Sequence, residues 1–348
     1  MDALTTLLGI GLPLMQAPMA GVQGHRLASA MCEAGTLGAL PGAALSPQAL
    51  AEEAAALRAA TSRPFNVNFF CHVPPAPQAE HEASWRAALA GEYRRWEIDP
   101  ADVPPGPGRR PFDAQALAAM QSVRPAVVSF HFGLPDEALL APLRAMGCKI
   151  LSSATTVAEA CWLAARGVDA VIAQGLEAGG HRGHFLSDDI GEQMGTFALL
   201  PQIVAAVNVP VVAAGGIADA NGVAAALRLG AAGVQVGTAL LRCPEADTPL
   251  VHRAALASPR ASHTVLTNVF TGRPARGIVN HAIRAFGPIN PLAPAFPLAT
   301  AASAPLRKAA EADGHDDWTP LWAGQHVPAE DGDVPAAEVV RRLAAGLA

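Results

Sequence analysis

Short apolar runs alternate with Ala- and Leu-rich stretches of helical period through most of this chain, and that alternation constrains its fold more than any other feature. The runs read as eight strands: Leu14–Met19, Leu37–Leu40, Phe65–Phe70, Ala126–Phe130, Lys149–Ser153, Ala170–Ala173, Val209–Ala214 and Gly233–Val236. Between them the period predicts helices over Pro47–Ala60, Leu134–Met146, Val157–Arg166, Leu199–Val207 and Asn221–Leu229, with a last amphipathic helix over Ala336–Leu347. Ser46 before Pro47 is a helix start with Pro at the first helical position. Thr156 with Glu159 three residues on has the spacing of a capping box. Alternating strand and helix requires a parallel sheet, and eight such units close into a (β/α)8 TIM barrel. An open doubly wound sheet would want G-x-G-x-x-G after its first strand; this one runs into Ala17-Pro18-Met19-Ala20-Gly21 instead.

Two intervals exceed one compact βα unit. The first is an insertion after the third strand, residues 72–121, rich in proline and expected to be irregular. It carries Pro74-Pro75 and Pro104-Pro105-Gly106-Pro107-Gly108. The second, His181 to Thr196, is long enough to serve as a functional loop. Residues 245–348 read as helices and loops over the barrel mouth, so 1–348 is expected to form one domain.

Composition narrows the function classes. With 51% hydrophobic and 16% charged residues the chain can bury a large core. A net charge of −6 gives no basic face, so no nucleic-acid partner is expected. No apolar run reaches the length of a membrane span, and Met1-Asp2-Ala3-Leu4 lacks the basic start of a signal peptide. The expectation is a soluble, cytoplasmic protein. Five cysteines without a CxxC pair imply neither a disulfide framework nor a zinc site, and no metal is expected. All five cysteines read as small buried hydrophobes.

Barrel active sites sit at the C-terminal ends of the strands. The residues there are Gln16 to Met19, Asn66, Asn68, His131, Ser152-Ser153, Gln174, Gly215-Gly216 and Gln235-Val236-Gly237-Thr238. Amides and hydroxyls dominate and no carboxylate pair occurs, which argues against glycosidase chemistry. After the sixth strand comes Gly175-Leu176-Glu177-Ala178-Gly179-Gly180-His181-Arg182-Gly183, a glycine-rich loop presenting a histidine. Histidine is the side chain suited to proton transfer near neutral pH. Gly215-Gly216 and Gly237-Thr238 end the seventh and eighth strands, where barrels commonly bind phosphate through backbone N–H groups. Phosphate at one end and amides at the other point to a phosphorylated flat cofactor. FMN fits better than NAD, because no pyrophosphate fingerprint is present.

Several stretches also resemble the nitronate monooxygenase family (2-nitropropane dioxygenases). They are Gln16–Gly21, Pro64-Phe65-Asn66-Val67-Asn68, Ser129-Phe130-His131-Phe132-Gly133-Leu134-Pro135, the Ala173–Gly183 loop, Ala213–Ile217, Gln235–Thr238 and Trp322-Ala323-Gly324-Gln325. Ser129–Pro135 is similar to class I members. The resemblance implies an FMN barrel in which Asn68, Gln174, Gly179, Gly215, Gly216, Gln235, Val236, Gly237 and Thr238 bind the cofactor and Pro18 and Met19 line the flavin. It implies oxidation of alkyl nitronates such as propionate 3-nitronate, and of nitroalkanes, with O2 via a flavin semiquinone, in a detoxifying role. His181 would remove the α-proton of a nitroalkane, and His131 would face the flavin from the substrate side. Lys308 stands near a family substrate-side lysine but reads as solvated.

The remaining polar residues read more simply. Glu177 reads as a loop-stabilising carboxylate. His184 reads as exposed rather than half of a metal site, and Arg273 and Arg276 as paired with acids. The other histidines read as surface or packing residues. One rival function is an NAD(P)H-dependent flavin reductase of the enoyl-thioester reductase type, which shares a loop of this kind. A rival of another class is a flavin-free phosphate-binding barrel lyase or isomerase. That class would want Lys or Asp/Glu at strand ends, whereas Lys149 starts its strand.

Overall fold

A computed structural model describes residues 3–76, 78–103, 109–328 and 333–347. The strands are β1 (Leu14–Gln16), β2 (Gly38–Leu40), β3 (Phe65–Phe70), β4 (Val127–His131), β5 (Lys149–Ala154), β6 (Ala170–Gln174), β7 (Gly180–His181), β8 (Val211–Ala214), β9 (Gly233–Val236), β10 (Thr264–Thr267) and β11 (Ala275–Ile278). Eight of them form one parallel sheet in the order β1-β9-β8-β6-β5-β4-β3-β2. Met15 pairs in parallel with Leu37, and the Gln16 N–H donates to the Leu37 carbonyl at 2.9 Å. That contact closes the sheet into the expected (β/α)8 barrel. All eight predicted barrel strands are present, two with the expected ends and the others with ends moved by at most three residues.

Helices sheathe the barrel because their apolar stripes face the outer surface of the sheet. Leu50, Leu57, Leu140, Leu163, Leu199, Ile203 and Val223 pack there against Val67, Val128, Ile150, Val171 and Val234. Inside, Leu4 and Leu8 of the N-terminal helix Ala3–Leu8 pack with Met15, Leu37, Val127, Leu151 and Ile172. This plug fills the N-terminal end and leaves the C-terminal end for ligands. Ser46 caps the helix Pro47–Ala60, accepting from the Ala49 N–H at 3.1 Å. Thr156 likewise accepts from the Glu159 N–H at 3.2 Å. The Glu159 carboxylate, however, takes the N–H and hydroxyl of Thr155 at 2.6 and 2.8 Å, not the cap N–H of a strict capping box.

Two regions differ from expectation. The insertion is largely helical, with helices Ala79–Ala88 and Ala90–Arg95. Trp85, Leu89 and Tyr93 recur at helical spacing and bury one stripe against Phe270, Ile283, Leu306 and Trp318. The Pro104–Gly108 run lies outside the described residues. The segment beyond β9 contains strands as well as helices. β10 and β11 pair antiparallel, and β11 also pairs with β7. The cysteine expectation holds for Cys32, Cys148 and Cys243, but Cys71 is half-buried and Cys161 is exposed. Among the described residues no helix is long and apolar enough to cross a membrane.

Candidate active site

The histidine loop is held as a short strand. β7 pairs with β11 so that His181 faces Ala275 and Gly180 faces Arg276. Gln174, at the end of β6, bridges the loop: its Nε2 donates to the His181 carbonyl at 2.9 Å, and its Oε1 accepts from the Gly183 N–H at 2.8 Å. The wholly buried Arg182 donates to the carbonyls of Gly175 and Gln174 at 2.6 and 2.7 Å and to Gln193 Oε1 at 2.7 Å. Glu177 accepts from the Thr196 N–H and hydroxyl at 2.8 and 2.9 Å, the loop-stabilising role expected of it. Glu159 reaches across to accept from the Phe185 N–H at 2.5 Å.

Three sequence expectations fail here. Arg273 donates to the carbonyls of Arg182 and His184, and Arg276 to that of Leu176 at 2.8 Å, rather than pairing with acids. His184 is buried at 2% exposure, not exposed, because the loop folds back under Arg273.

His131, at the end of β4, leans on the same loop. Its Nε2 lies 3.1 Å from the His181 carbonyl and its Nδ1 2.5 Å from Ser153 Oγ. Gly183 permits this approach, since a Cβ there would lie 2.7 Å from the His131 ring and 2.9 Å from Ser153 Oγ. Phe132 has a left-handed φ of 71°, a strained conformation for an aromatic residue. The strain places its ring 4.5 Å from that of His131, under the Arg273 guanidinium at 4.3 Å. His181 Nε2 is 3.0 Å from Thr271 Oγ1. The rings of Phe296, Trp322, Phe132 and Phe70 surround the His181 imidazole at 5.2 to 6.2 Å.

Both imidazoles open into a cavity of about 330 Å³ at the C-terminal end of the barrel. Of the expected residues, Pro18, Met19, Asn68, His131, Gln174, Gly179, His181, Gly215, Gly216, Gln235, Gly237 and Thr238 line it. Val236 packs into the outer core instead, and Gln16 and Asn66 are tied up inside the sheet. Gly215 and Gly216 have φ of 121° and 71°, the left-handed region that favours glycine. Thr238 Oγ1 accepts from the Gly324 N–H at 2.9 Å, which leaves the hydroxyl proton free to donate. Gln235 Oε1 is buried without a partner. An orphaned polar atom beside a glycine cradle suits a hydroxylated, phosphorylated ligand.

Other wall residues carried no recognisable pattern in sequence. Arg109, His252, Thr271, Arg307, Trp318 and His326 come from the insertion and the C-terminal segment. Lys308 is exposed, as expected, and its neighbour Arg307 takes the wall position.

No Asp or Glu among the described residues lines the cavity. Burial drives His131 and His181 neutral. His131 is pushed down to about 3 and His181 well below the usual imidazole value. Behind them His72 falls to about 4 and His184 to about 3. After burial, the charge of Arg109 is the largest influence disfavouring protonation of His181. The cavity therefore presents uncharged imidazoles in a positive field.

Known proteins match this chain end to end. A family model described as nitronate monooxygenase matches residues 1–346. The nitronate monooxygenase of Paraburkholderia phytofirmans is 41% identical over 344 residues, covering 98% of this chain and 93% of that protein. That of Pseudomonas aeruginosa is 41% identical over 351 residues, covering 98% of each. The crystal structure of nitroalkane oxidase from Streptomyces ansochromogenes superposes with a TM-score of 0.90 at 42% identity, covering 99% of this chain and 98% of that one.

Proposed function

The chain belongs to the nitronate monooxygenase family, and we propose that it is an FMN-dependent oxidoreductase acting on alkyl nitronates, propionate 3-nitronate among them. On this reading it also accepts neutral nitroalkanes once His181 has removed their α-proton. One observation carries the reading. Among the described residues, a neutral imidazole and a glycine cradle line one cavity that no acid lines. A carbon acid needs a base, and its conjugate anion favours a positive field.

The residues present fit FMN. Gly215, Gly216, Gly237 and Thr238 would hold its phosphate, and Gln235, Asn68, Gly179, Pro18 and Met19 would line the rest. FMN supplies the electron transfer and the reaction with O2. The protein supplies position, field and the proton acceptor.

The hydrogen bonds support one nitrogen of His181 as the base atom. On this reading the Thr271 hydroxyl donates to the Arg273 carbonyl, which can only accept and lies 3.4 Å from Oγ1. It then accepts from His181 Nε2–H, and Nδ1 is left unprotonated as the base. His131 is a positioning residue in this scheme. Its Nε2–H donates to the His181 carbonyl and its Nδ1 accepts from Ser153, so both nitrogens are engaged. The aromatic walls exclude water, which strengthens each polar interaction inside. Because burial and Arg109 disfavour the imidazolium, His181 keeps the proton best while the substrate anion stays beside it.

Oxygen uptake by the FMN-loaded protein with ethyl nitronate and propionate 3-nitronate tests this function, alongside anaerobic mixing with NADPH. The reading expects uptake with both nitronates and no bleaching by NADPH. Rapid bleaching by NADPH would move the protein to the reductase class, and failure to bind FMN would reopen the lyase or isomerase reading.

A further inference from the structure

Arg109 is a half-buried cation with no acid paired to it among the described residues. It enters the cavity wall from the insertion, where its carbonyl lies 3.1 Å from His72 Nε2. Its guanidinium carbon lies 5.7 Å from the Phe70 ring, and that ring is 6.2 Å from the His181 imidazole. Nη1 is buried and has no hydrogen-bond partner. The neighbouring arginines are satisfied. Arg307 has Glu311 at 2.7 Å, and Arg182, Arg273 and Arg276 are spent on loop carbonyls. Burying a cation without a partner is costly, and the cavity supplies no acid to offset it.

We propose that Arg109 grips the paired oxygens of the substrate's nitronate group, holding the anion that forms as His181 takes the α-proton. This rests on the nitronate reading above. A guanidinium fork matches a planar pair of anionic oxygens and donates to both at once, and the O–N–O of a nitronate is such a pair. The bond that breaks is the substrate C–H. Its proton goes to His181 Nδ1, its electron pair delocalises onto the two oxygens, and Arg109 receives that charge.

The test compares the FMN-loaded wild type with Arg109→Met. The expected result is a loss in kcat/KM on the order of 10²-fold, equal for ethyl nitronate and propionate 3-nitronate, with FMN affinity unchanged. Equal activity of the two proteins would overturn the assignment. So would a loss confined to propionate 3-nitronate, which would mean that Arg109 reads the distal carboxylate, or a loss of FMN affinity, which would make it a cofactor ligand. Acetate, a planar stand-in with the same paired oxygens, gives a readout without turnover. It should perturb the flavin spectrum of the wild type and not of Arg109→Met, so the assignment is tested even if no nitronate is oxidised. If Arg109→Met fails to fold, Arg109→Lys keeps the charge without the fork and should raise KM on both nitronates; an unchanged KM would count against the proposal.

Discussion

His131 Nε2 lies 3.1 Å from the backbone carbonyl of His181, so one histidine of the cavity orients the other through the main chain. His131→Phe keeps the ring and removes both hydrogen bonds. A misplacement of about 1 Å in a catalytic group costs roughly 10²-fold, and kcat on neutral nitroalkanes should fall by that order. KM for preformed nitronates should change little, because no proton is taken from them. Steady-state kinetics on both substrate forms checks this, and wild-type turnover by His131→Phe would remove its positioning role.

The Arg182 staple makes a stability prediction. Arg182→Met leaves the Gln174 carbonyl and the amide oxygen of Gln193 without the donor it supplied, while the Gly175 carbonyl keeps the Ala178 N–H at 3.1 Å. Buried acceptors left unsatisfied cost about 1–3 kcal/mol each, so a loss of at least about 2 kcal/mol is expected. A urea titration reads it as a lower midpoint. An unchanged midpoint would mean that the loop is held by its β7–β11 pairing alone.

Acid should destabilise this protein from an unusually high pH. His131 and His184 are held at about 3, His72 and His252 at about 4, and His181 well below its usual value, in each case chiefly by burial. Unfolded, these side chains titrate near 6.5. Below that pH the unfolded chain binds protons that the folded chain refuses, so stability falls as pH drops from about 6.5 toward 4. At pH 5 each such histidine costs up to about 2 kcal/mol, less for any that solvent screens. The Tm of the FMN-loaded protein should therefore drop sharply between pH 7.5 and pH 5. Equal Tm values at the two would show that these imidazoles are protonated in the folded state.

The barrel was legible because hydrophobic period and cap residues are local signals, and Ser46 and Thr156 cap as their spacing predicts. The cavity wall was legible wherever it sits at strand ends, from Pro18 to Thr238. Other features depend on contacts distant in sequence. His184 looks like an exposed loop residue until Arg273 of the C-terminal segment is seen to cover it. Trp85, Leu89 and Tyr93 did carry a helical period, but the prolines around them masked it. Arg109 follows a Pro-Gly run and shows no periodicity; only the closed fold brings it near His181.

The most direct test of the account is His181→Asn, assayed on a neutral nitroalkane and on its preformed nitronate. General base catalysis contributes roughly 10²–10⁴-fold, so turnover of the neutral nitroalkane should fall by that factor while oxidation of the nitronate largely survives. Equal losses on both forms would contradict the assignment of His181 as the base.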